Sequence, residues 1–518
     1  MYPSLSQFTR WASRYRAVPL WVEPHLPANS LVEWVRELNT GKSNFFFLHS
    51  SGSGTQARYS YFALEEPHFI VRASGGTLVI EHLSEAAGTA VSAKVGNPFD
   101  RFHEWLGHCS GPRVDGLPPF WGGAVGYFGH ESARYFDPRL KRLFSRRQPA
   151  GASDDPATWD YPDFEFGIYD LIGAVDHARQ KLWLIHTVFL PERKQLSPAQ
   201  LERIYRNAQD RLLRQAVRVQ RAVREDRPWK VFTAPIPRSN RSEHAYQSAV
   251  RRAKTHMAAG EIYQINLSQS FSADWNGDPW SLYRQLSAAN PSPYGALWRS
   301  GTRWIASASP ELLLRQEDNR LEARPMAGTH PRGSNPDSAR RMCAALLNDC
   351  RKRAGHIMLV DAARGDLSRV CAPSSLNIAE LAAVEAHSRD FYLVSDIRGT
   401  LFPGKTWRDS VKAVFPAGTV TGCPKIRSIE IIRKLESLPR GPYGGSLGWI
   451  GFNGDLTLNV LTRTFFMDRQ HLRFPVGAGI VADSILNREY EETWHKAEAM
   501  MDALDKHVPL YLFPMEDL

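Results

Sequence analysis

The segment Glu261-Ile-Tyr-Gln-Ile-Asn-Leu-Ser-Gln269 gives the clearest structural signal in the chain. Its apolar and polar residues alternate, which is the pattern of a β-strand with two different faces. The apolar face begins with Tyr263. The polar face begins with Gln264 and has no charge, so it indicates either a wet cavity or a solvent-facing sheet. The preceding residues have helical spacing, with Ser242 as the cap and Gly260 as the stop, so a helix followed by a strand is predicted.

Three stretches of the chain differ in pattern. Residues 1–190 contain short β-like runs, residues 191–230 form an arginine-rich connector with helical spacing, and residues 231–512 mix helices with strands. The predicted domains follow these three stretches. In the last of them, helices are predicted at 409–415, 424–435 and 487–504, and strands at 358–361 and 456–464.

The composition is that of an ordinary globular protein, since 43% of the 518 residues are hydrophobic and 23% are charged. The formal net charge of +10 suits an anionic partner, such as a nucleic acid, a membrane surface or an acidic small molecule. Much of the excess lies between Arg203 and Arg227, where arginines recur at helical spacing. This spacing favours a solvated helix face over a nucleic-acid interface.

The sequence predicts a cytoplasmic protein with neither a membrane nor a nucleic-acid partner. The first residues lack the apolar core of a signal peptide. No apolar run approaches the roughly 18–20 residues that span a bilayer. The five cysteines form no CxxC pair and are typical of reduced thiols.

Two segments near the C-terminus could bind an anion. Gly477 and Gly479 allow backbone N–H groups to approach a carboxylate closely, although such a glycine pair also occurs at tight strand junctions. On the helix predicted after them, Glu489, Glu492 and Lys496 share one face. Two carboxylates beside a lysine could hold Mg²⁺ and an anionic ligand, or they could form a surface ion-pair ladder.

Arg463 is a charged residue in the otherwise uncharged strand that is predicted over residues 456–464. An arginine among apolar neighbours needs a partner for its guanidinium. A ligand carboxylate could pair with it in bidentate geometry, and a structural aspartate could do so equally well.

Taken together, these segments resemble the chorismate-binding domain of the chorismate-utilising enzyme family in order and spacing. The resemblance covers about residues 230–510 and extends weakly over the first 190 residues. It rests on Gly260–Gln269, Arg324-Pro-Met-Ala-Gly-Thr329, Phe415-Pro-Ala-Gly-Thr-Val-Thr-Gly-Cys-Pro-Lys425, Tyr443-Gly-Gly-Ser-Leu-Gly448, Arg463-Thr464 and Gly477-Ala-Gly-Ile-Val-Ala-Asp-Ser484.

The resemblance implies an α+β fold of two large, mostly antiparallel β-sheets packed together, with helices outside and the active site in a cleft. It also implies ammonia as the nucleophile, because Gln264 stands where isochorismate and salicylate synthases have a lysine base. Two aminations of chorismate are then open. Residues 263–269 and 126–134 favour 4-amination to 4-amino-4-deoxychorismate, in the para-aminobenzoate and folate pathway. Ala327 favours 2-amination, because anthranilate synthases have alanine at that position.

The resemblance further implies roles for individual residues. The ligand-binding set is Tyr443 and Arg463 for the enolpyruvyl carboxylate, Gly477, Gly479 and Lys496 for the ring carboxylate, and Glu489 and Glu492 for Mg²⁺. The catalytic set is Gln264, Thr329 and Tyr392. Tyr392 replaces a histidine that assists departure of the ring hydroxyl, and a tyrosine could still donate a proton.

Three other positions depart from the family pattern. Lys352 and Gly355 replace acidic residues, and the glutamate lost at 355 is a magnesium ligand in the family. Gly365 replaces an asparagine. Because these changes affect the reaction rather than the scaffold, weak Mg²⁺ binding is expected. Two hypotheses follow: an active amine-transferring synthase, or a catalytically impaired paralogue that keeps the fold and binds the ligand or a partner.

The expected partner is a separate glutaminase subunit that supplies ammonia. Ammonium dominates over ammonia at neutral pH, so a dedicated source is needed. None of the five cysteines lies in the glycine-rich elbow that a nucleophilic cysteine would need. The chain is therefore expected to bind chorismate itself and to take ammonia from its partner.

Overall fold

The computed structural model describes residues 2–28, 30–52, 56–83, 90–93, 96–145, 161–191, 196–224, 227–230, 232, 234–332, 335–387 and 390–504. The strands are β1 Ala17–Val22, β2 Asn44–His49, β3 Tyr59–Ala63, β4 Phe69–Ser74, β5 Thr77–His82, β6 Ala90–Ala93, β7 Gly123–Phe128, β8 Phe164–Tyr169, β9 Leu171–Asp176, β10 Lys181–Phe189, β11 Arg238–Ser239, β12 Gln264–Asp274, β13 Tyr294–Ser300, β14 Arg303–Ser309, β15 Leu312–Glu317, β16 Arg320–Arg324, β17 Met326–Pro331, β18 Asn377–Ala386, β19 Asp390–Thr400, β20 Gly422–Cys423, β21 Ser446–Gly451, β22 Leu456–Asn459, β23 Thr464–Met467 and β24 His471–Val481. The helices are α1 Leu5–Ala12, α2 Leu31–Asn39, α3 Pro98–Gly107, α4 Pro138–Ser145, α5 Pro198–Arg224, α6 Glu243–Ala258, α7 Pro279–Ala289, α8 Pro336–Asn348, α9 Cys350–Ser368, α10 Trp407–Val414, α11 Gly418–Thr421, α12 Lys425–Leu435 and α13 Leu486–Ala503.

These strands form two antiparallel sheets, which confirms the predicted α+β fold class. The first sheet has the order β1-β10-β9-β3-β2-β13-β14-β23-β24-β12-β11, with β20 also paired to β12. The second has the order β17-β19-β16-β15-β22-β21-β7-β8-β4-β5-β6, with β18 also paired to β19. Each sheet contains strands from both halves of the chain. The domain division at residues 190 and 230 stays a prediction, and its end over residues 505–512 lies outside the described residues.

Aromatic side chains join the two sheets in a common core. Phe46 on β2 packs against Tyr169 on β8, with ring centroids 4.6 Å apart. On the other face of β2, Phe45 stacks on Trp280 of α7 at 5.4 Å. Successive strand residues point to opposite faces, so β2 is covered by the second sheet on one side and by a helix on the other. This double coverage explains why its sequence is a continuous run of phenylalanines rather than an alternating one.

Most helices that the spacing predicts are confirmed. The helix α6 is capped by Ser242, whose Oγ accepts a hydrogen bond from the N–H of Ala245 at 3.3 Å. The predicted helices at 409–415, 424–435 and 487–504 correspond to α10, α12 and α13. The arginine-rich connector contains α5, and no helix in the described ranges has the length and apolar character that crossing a membrane requires.

The helix α5 is not a fully solvated charged face. Leu212 is buried on its inner side, as the spacing predicts. Arg211, however, turns inward, and its Nη1 lies 2.8 Å from Oδ2 of Asp170 at the end of β8. The connector is therefore fastened to the β-structure by a charged contact as well as by apolar packing.

The strand predicted over 358–361 is wrong, because these residues lie within α9. Asp349 caps this helix, with its Oδ1 accepting hydrogen bonds from the N–H groups of Arg351 and Lys352 at 3.0 Å. Leu359 and Val360 are buried on its inner face. A short apolar run such as Met358-Leu-Val360 fits a buried helix face as well as a strand, so the pattern did not decide between them.

The strand predicted over 456–464 is in fact two strands in different sheets. The chain leaves the second sheet after β22 and enters the first sheet at β23. Arg463 lies at this crossing with a φ of +49°, in the left-handed region. The strand predicted from Glu261 also starts later, at Gln264, and Tyr263 is 65% exposed outside it. The N–H of Tyr263 donates a hydrogen bond to the carbonyl of Cys423, in the short strand β20.

Candidate active site

The paired strands β12 and β24 bring the predicted glycines against the polar face of β12. Gly477 lies opposite Ser268, and Gly479 lies opposite Asn266. A Cβ atom on Gly477 would lie 2.4 Å from Oδ1 of Asn266 and 2.9 Å from Oη of Tyr443. A side chain at Gly477 would therefore require Asn266 and Tyr443 to shift, whereas a Cβ at Gly479 would lie 3.2 Å from Nε2 of Gln264.

The polar face of β12 is buried rather than solvent-facing. Gln264, Asn266 and Ser268 are each 7% exposed. Asn266 donates to the carbonyl of Thr419 at 3.3 Å, while its Oδ1 is buried and has no hydrogen-bond partner among the described residues. A buried acceptor without a donor is costly, so Oδ1 marks a place where a ligand N–H or O–H would be stabilised.

The helix α13 is joined to β24 by Lys496. Its Nζ donates to the carbonyl of Gly477 at 2.9 Å and lies 2.6 Å from Oε1 of Glu492. Partial burial opposes ionisation of Glu492, but the ammonium groups of Lys496 and Lys352 outweigh it and lower the pKa of this carboxyl. We call the residues on β12, β24 and α13 the glycine side of the site.

Glu489, one turn before Glu492, has a different environment. Burial raises the pKa of Glu489 to about 7. Its Oε2 is buried and has no hydrogen-bond partner within the described ranges. Two carboxylates on one helix face, one of them with a free buried oxygen, are suited to a cation.

The predicted anion-binding Arg463 is already paired within the protein. Its Nη2 lies 3.1 Å from Oδ2 of Asp390 and is hydrogen-bonded to Oη of Tyr392. The guanidinium also lies over the Tyr392 ring, 5.4 Å from its centroid. The sequence left open whether Arg463 pairs with a ligand carboxylate or with a structural aspartate, and the structure shows an aspartate, Asp390. The Oη of Tyr443, predicted to bind the same carboxylate, lies 2.9 Å from the position that a Cβ on Gly477 would take.

The strands β17 and β19 and the helix α9 carry the remaining predicted residues. Thr329 pairs across the strands with Tyr392, and a bulge at Gly328, with a φ of +71°, separates Thr329 from Ala327. The Nζ of Lys352 donates to the carbonyl of Thr329 at 2.7 Å. We call the residues on β17, β19 and α9, together with Arg463, the arginine side of the site.

Comparison with known proteins identifies the family. The sequence pattern of the family described as chorismate binding enzyme matches residues 59–502. The chain belongs to the chorismate binding enzyme family. The family predicted from the motifs is thereby confirmed.

Individual relatives of this chorismate binding enzyme narrow its type. It is 33% identical over 479 residues to aminodeoxychorismate synthase component 1 of Bacillus subtilis, covering 92% of this chain and 95% of that protein. It is also 33% identical over 521 residues to anthranilate synthase component 1 of Synechocystis, covering 97% and 99%. Its fold is similar to the crystal structure of anthranilate synthase component I from Streptococcus pneumoniae TIGR4, with a TM-score of 0.70, 29% identity and coverage of 87% and 93%. The chain is therefore a chorismate-utilising enzyme of the anthranilate and aminodeoxychorismate synthase type.

The magnesium expectation can be tested against the residues of this chorismate binding enzyme. Glu489 and Glu492 fit the acidic part of such a site, because Mg²⁺ takes one or two carboxylates and completes its shell with ligand oxygens and water. No group of three or more His, Cys, Asp or Glu side chains that could hold a metal occurs in the described part of the chain. On α9, a Cβ at Gly355 would meet nothing within 4 Å, and Lys352 adds a positive charge that acts on Glu492. Glu489 and Glu492 are therefore the residues that would hold the ion.

Glu311 is a site residue that the sequence did not reveal. It follows β14, and its Oε1 accepts hydrogen bonds from Oγ1 of Thr419 at 2.8 Å and from the N–H of Met326 at 3.4 Å. Burial raises the pKa of Glu311 to about 7. Thr419 also contacts Asn266, so this carboxyl lies where the two sides of the site meet. The sequence signal, a glutamate after Pro310 between two apolar runs, was too short to be recognised.

A separate cavity of about 390 Å³ lies elsewhere between the sheets. Its lining includes Ser50, Arg58, Tyr294 and Trp449. None of the predicted ligand-binding or catalytic residues lines it.

Proposed function

We propose that the chain transfers ammonia to chorismate and forms 4-amino-4-deoxychorismate. The observation that carries the choice of ammonia as the nucleophile is Gln264, a buried amide on the glycine side, next to the position that a Cβ on Gly479 would take. An amide cannot accept a proton at neutral pH, so it cannot activate water as a general base. Ammonia is already a nucleophile and needs only to be positioned, for which an amide is suited.

The site residues would divide the work between binding and proton transfer. Lys496 and the backbone at Gly477 would hold the ring carboxylate, and Gln264 would orient the ammonia. The new C–N bond forms as the C–O bond to the ring hydroxyl breaks, and the hydroxyl leaves as water after taking a proton. Glu311, whose pKa is raised to about 7, can carry a proton near neutral pH, and Tyr392 is a second donor. Thr329, in cross-strand contact with Tyr392, would line the ring pocket.

We further propose that Mg²⁺ binds weakly at Glu489 and Glu492. When bound, the ion would supply positive charge next to the ring carboxylate. The residues of the chain itself would still position the ligand, through Lys496 and the backbone of β24.

A glutaminase subunit would supply the ammonia. The Bacillus subtilis and Synechocystis relatives are each named as component 1, which implies a further component. We expect the purified chain to turn over chorismate with ammonium. With glutamine, we expect turnover only after a glutaminase is added. Glutamine-dependent turnover by the chain alone would contradict this part of the proposal. We also propose that the chain acts in the cytoplasm, as predicted from the sequence.

Anthranilate synthase component I is the second candidate function. It is supported by Ala327 and by the Synechocystis relative, whose identity equals that of the aminodeoxychorismate synthase relative. The deciding experiment incubates the chain with chorismate, ammonium and Mg²⁺, and separates the products by chromatography. 4-Amino-4-deoxychorismate is the expected product, and anthranilate would support the second candidate. Binding of chorismate without consumption would indicate the impaired paralogue.

A further inference from the structure

Asp390 belongs to the arginine side of the site and was not among the predicted site residues. It is the first residue of β19 and points to the same face as Tyr392, two positions later. Its Oδ2 lies 3.1 Å from Nη2 of Arg463 and 3.3 Å from Oη of Tyr392, which itself contacts Nη2 of Arg463. The carboxylate, the phenol and the guanidinium thus form a closed triangle.

The backbone of Arg463 is held in place. The residue lies at the crossing between β22 and β23 with a φ of +49°, and its carbonyl accepts a hydrogen bond from the N–H of Ala308 at 3.1 Å. Its side chain is 18% exposed and that of Asp390 is 25% exposed. The pair is partly shielded from water, so its electrostatic attraction exceeds that of a surface ion pair.

A ligand carboxylate that binds Arg463 must therefore displace Asp390 or share the guanidinium with it. Displacement exchanges one carboxylate for another, so the ligand gains little from the new contact. It also leaves Asp390 partly buried without its partner, which is unfavourable. Sharing places two carboxylates close together and adds repulsion between like charges.

We propose that Asp390 is a specificity-determining residue that competes with the ligand for Arg463. It weakens the binding of ligands with two carboxylates and leaves those with a single ring carboxylate nearly unaffected, since the latter need only the glycine side. This inference rests on the proposed function, in which chorismate occupies this site. Under this proposal, removal of the Asp390 carboxylate strengthens ligand binding. If Asp390 instead had a structural role and oriented Arg463, its removal would weaken ligand binding.

The test measures affinities by calorimetry for the full chain and for Asp390→Asn. The probes are chorismate, which has two carboxylates, and 4-hydroxybenzoate, which has one. We expect Asp390→Asn to bind chorismate about tenfold more tightly, and to change 4-hydroxybenzoate binding by less than about twofold. Asp390→Ser serves as a second variant, because it removes the planar group that could still hold the guanidinium.

The matched control is Asp100→Asn. Asp100 is 27% exposed, close to the value for Asp390, and it pairs with Arg408 at 2.7 Å away from the site. This variant should leave both affinities unchanged. In a chain that also carries Arg463→Gln, Asp390→Asn should give no gain, because the competition acts through the guanidinium. Thermal unfolding verifies that each variant is folded.

Unchanged or weaker chorismate binding by both Asp390 variants, in chains that fold and bind, would overturn this inference and leave the proposed function standing. A gain that persists without Arg463 would overturn it as well. Failure of every folded chain, including the wild type, to bind chorismate would overturn the proposed function and this inference with it.

Discussion

The two sides of the active site obtain their binding groups in different ways. On the glycine side, Gly477 and Gly479 lie in β24, which is paired with β12 over many residues, and Lys496 contacts the carbonyl of Gly477 and Glu492. On the arginine side, Arg463 is paired with the side chains of Asp390 and Tyr392. Strand pairing fixes the position of the glycines, whereas the partner of Arg463 depends on which groups compete for its charge.

Glu311, where the two sides meet, gives the largest expected effect. Its pKa is raised from 4.5 to about 7 because it is buried, so the folded state binds a proton that the unfolded state has lost in this range. Stability should fall as pH rises from about 4.5 to 7 and then level off, by an amount on the order of 3 kcal/mol. Urea unfolding of the wild type and of Glu311→Gln across this pH range measures this loss of stability, as the difference between the two pH profiles. Parallel pH profiles would show that the junction is wetter than its burial indicates.

Lys496 tests the glycine side directly. Replacing it by methionine removes the charge next to the carbonyl of Gly477 and leaves Glu492 without its partner. We expect chorismate affinity to fall about 50-fold, a little over 2 kcal/mol. Lys405→Met is the control, because Lys405 also lies four residues from a carboxylate, that of Asp409, but is outside the site. Equal affinities for both variants would remove Lys496 from the binding set.

One glycine-to-alanine substitution on each side of the site shows how tightly the backbone is packed there, through the change in unfolding free energy. Alanine at Gly477 would bring a Cβ to 2.4 Å from Asn266 and should cost about 2 kcal/mol of unfolding free energy. Alanine at Gly355 meets nothing within 4 Å and lies within a helix, so it should stabilise by up to about 1 kcal/mol. Urea denaturation of both variants provides the measurement. A neutral Gly477→Ala would mean that the glycine side can rearrange.

Magnesium binding involves both sides of the site, because Glu489 and Glu492 lie on α13 and Gly355 lies on α9. Gly355→Glu has room for its side chain, because a Cβ at 355 meets nothing within 4 Å, and it restores the carboxylate that the family resemblance places in the magnesium site. Titration of Mg²⁺ with chorismate present should show about tenfold tighter binding in Gly355→Glu. Gly365→Glu, further along the same helix and equally unobstructed, should show no gain. A wild-type midpoint in the low micromolar range, unimproved at 355, would show that another residue completes the site.

Local patterns account for what could be predicted. The spacing of Glu489, Glu492 and Lys496 places them on one helix face whatever the rest of the chain does, and α13 confirms that face. The run from 358 to 361 was misassigned because three apolar residues do not distinguish a strand from a buried helix face. The order of the motifs along the chain was sufficient for the family and the fold class.

The sequence by itself determined the family, because its motifs lie within short segments, and through that resemblance it predicted the two-sheet α+β architecture. Periodicity alone placed Glu489, Glu492 and Lys496 on one helix face. The tertiary structure alone decided the partner of Arg463 and the burial of Glu311. Asp390 lies 73 residues before Arg463, and no local pattern connects them. Charged groups interact through space, so which carboxylate a guanidinium prefers is set by where the folded strands place both of them.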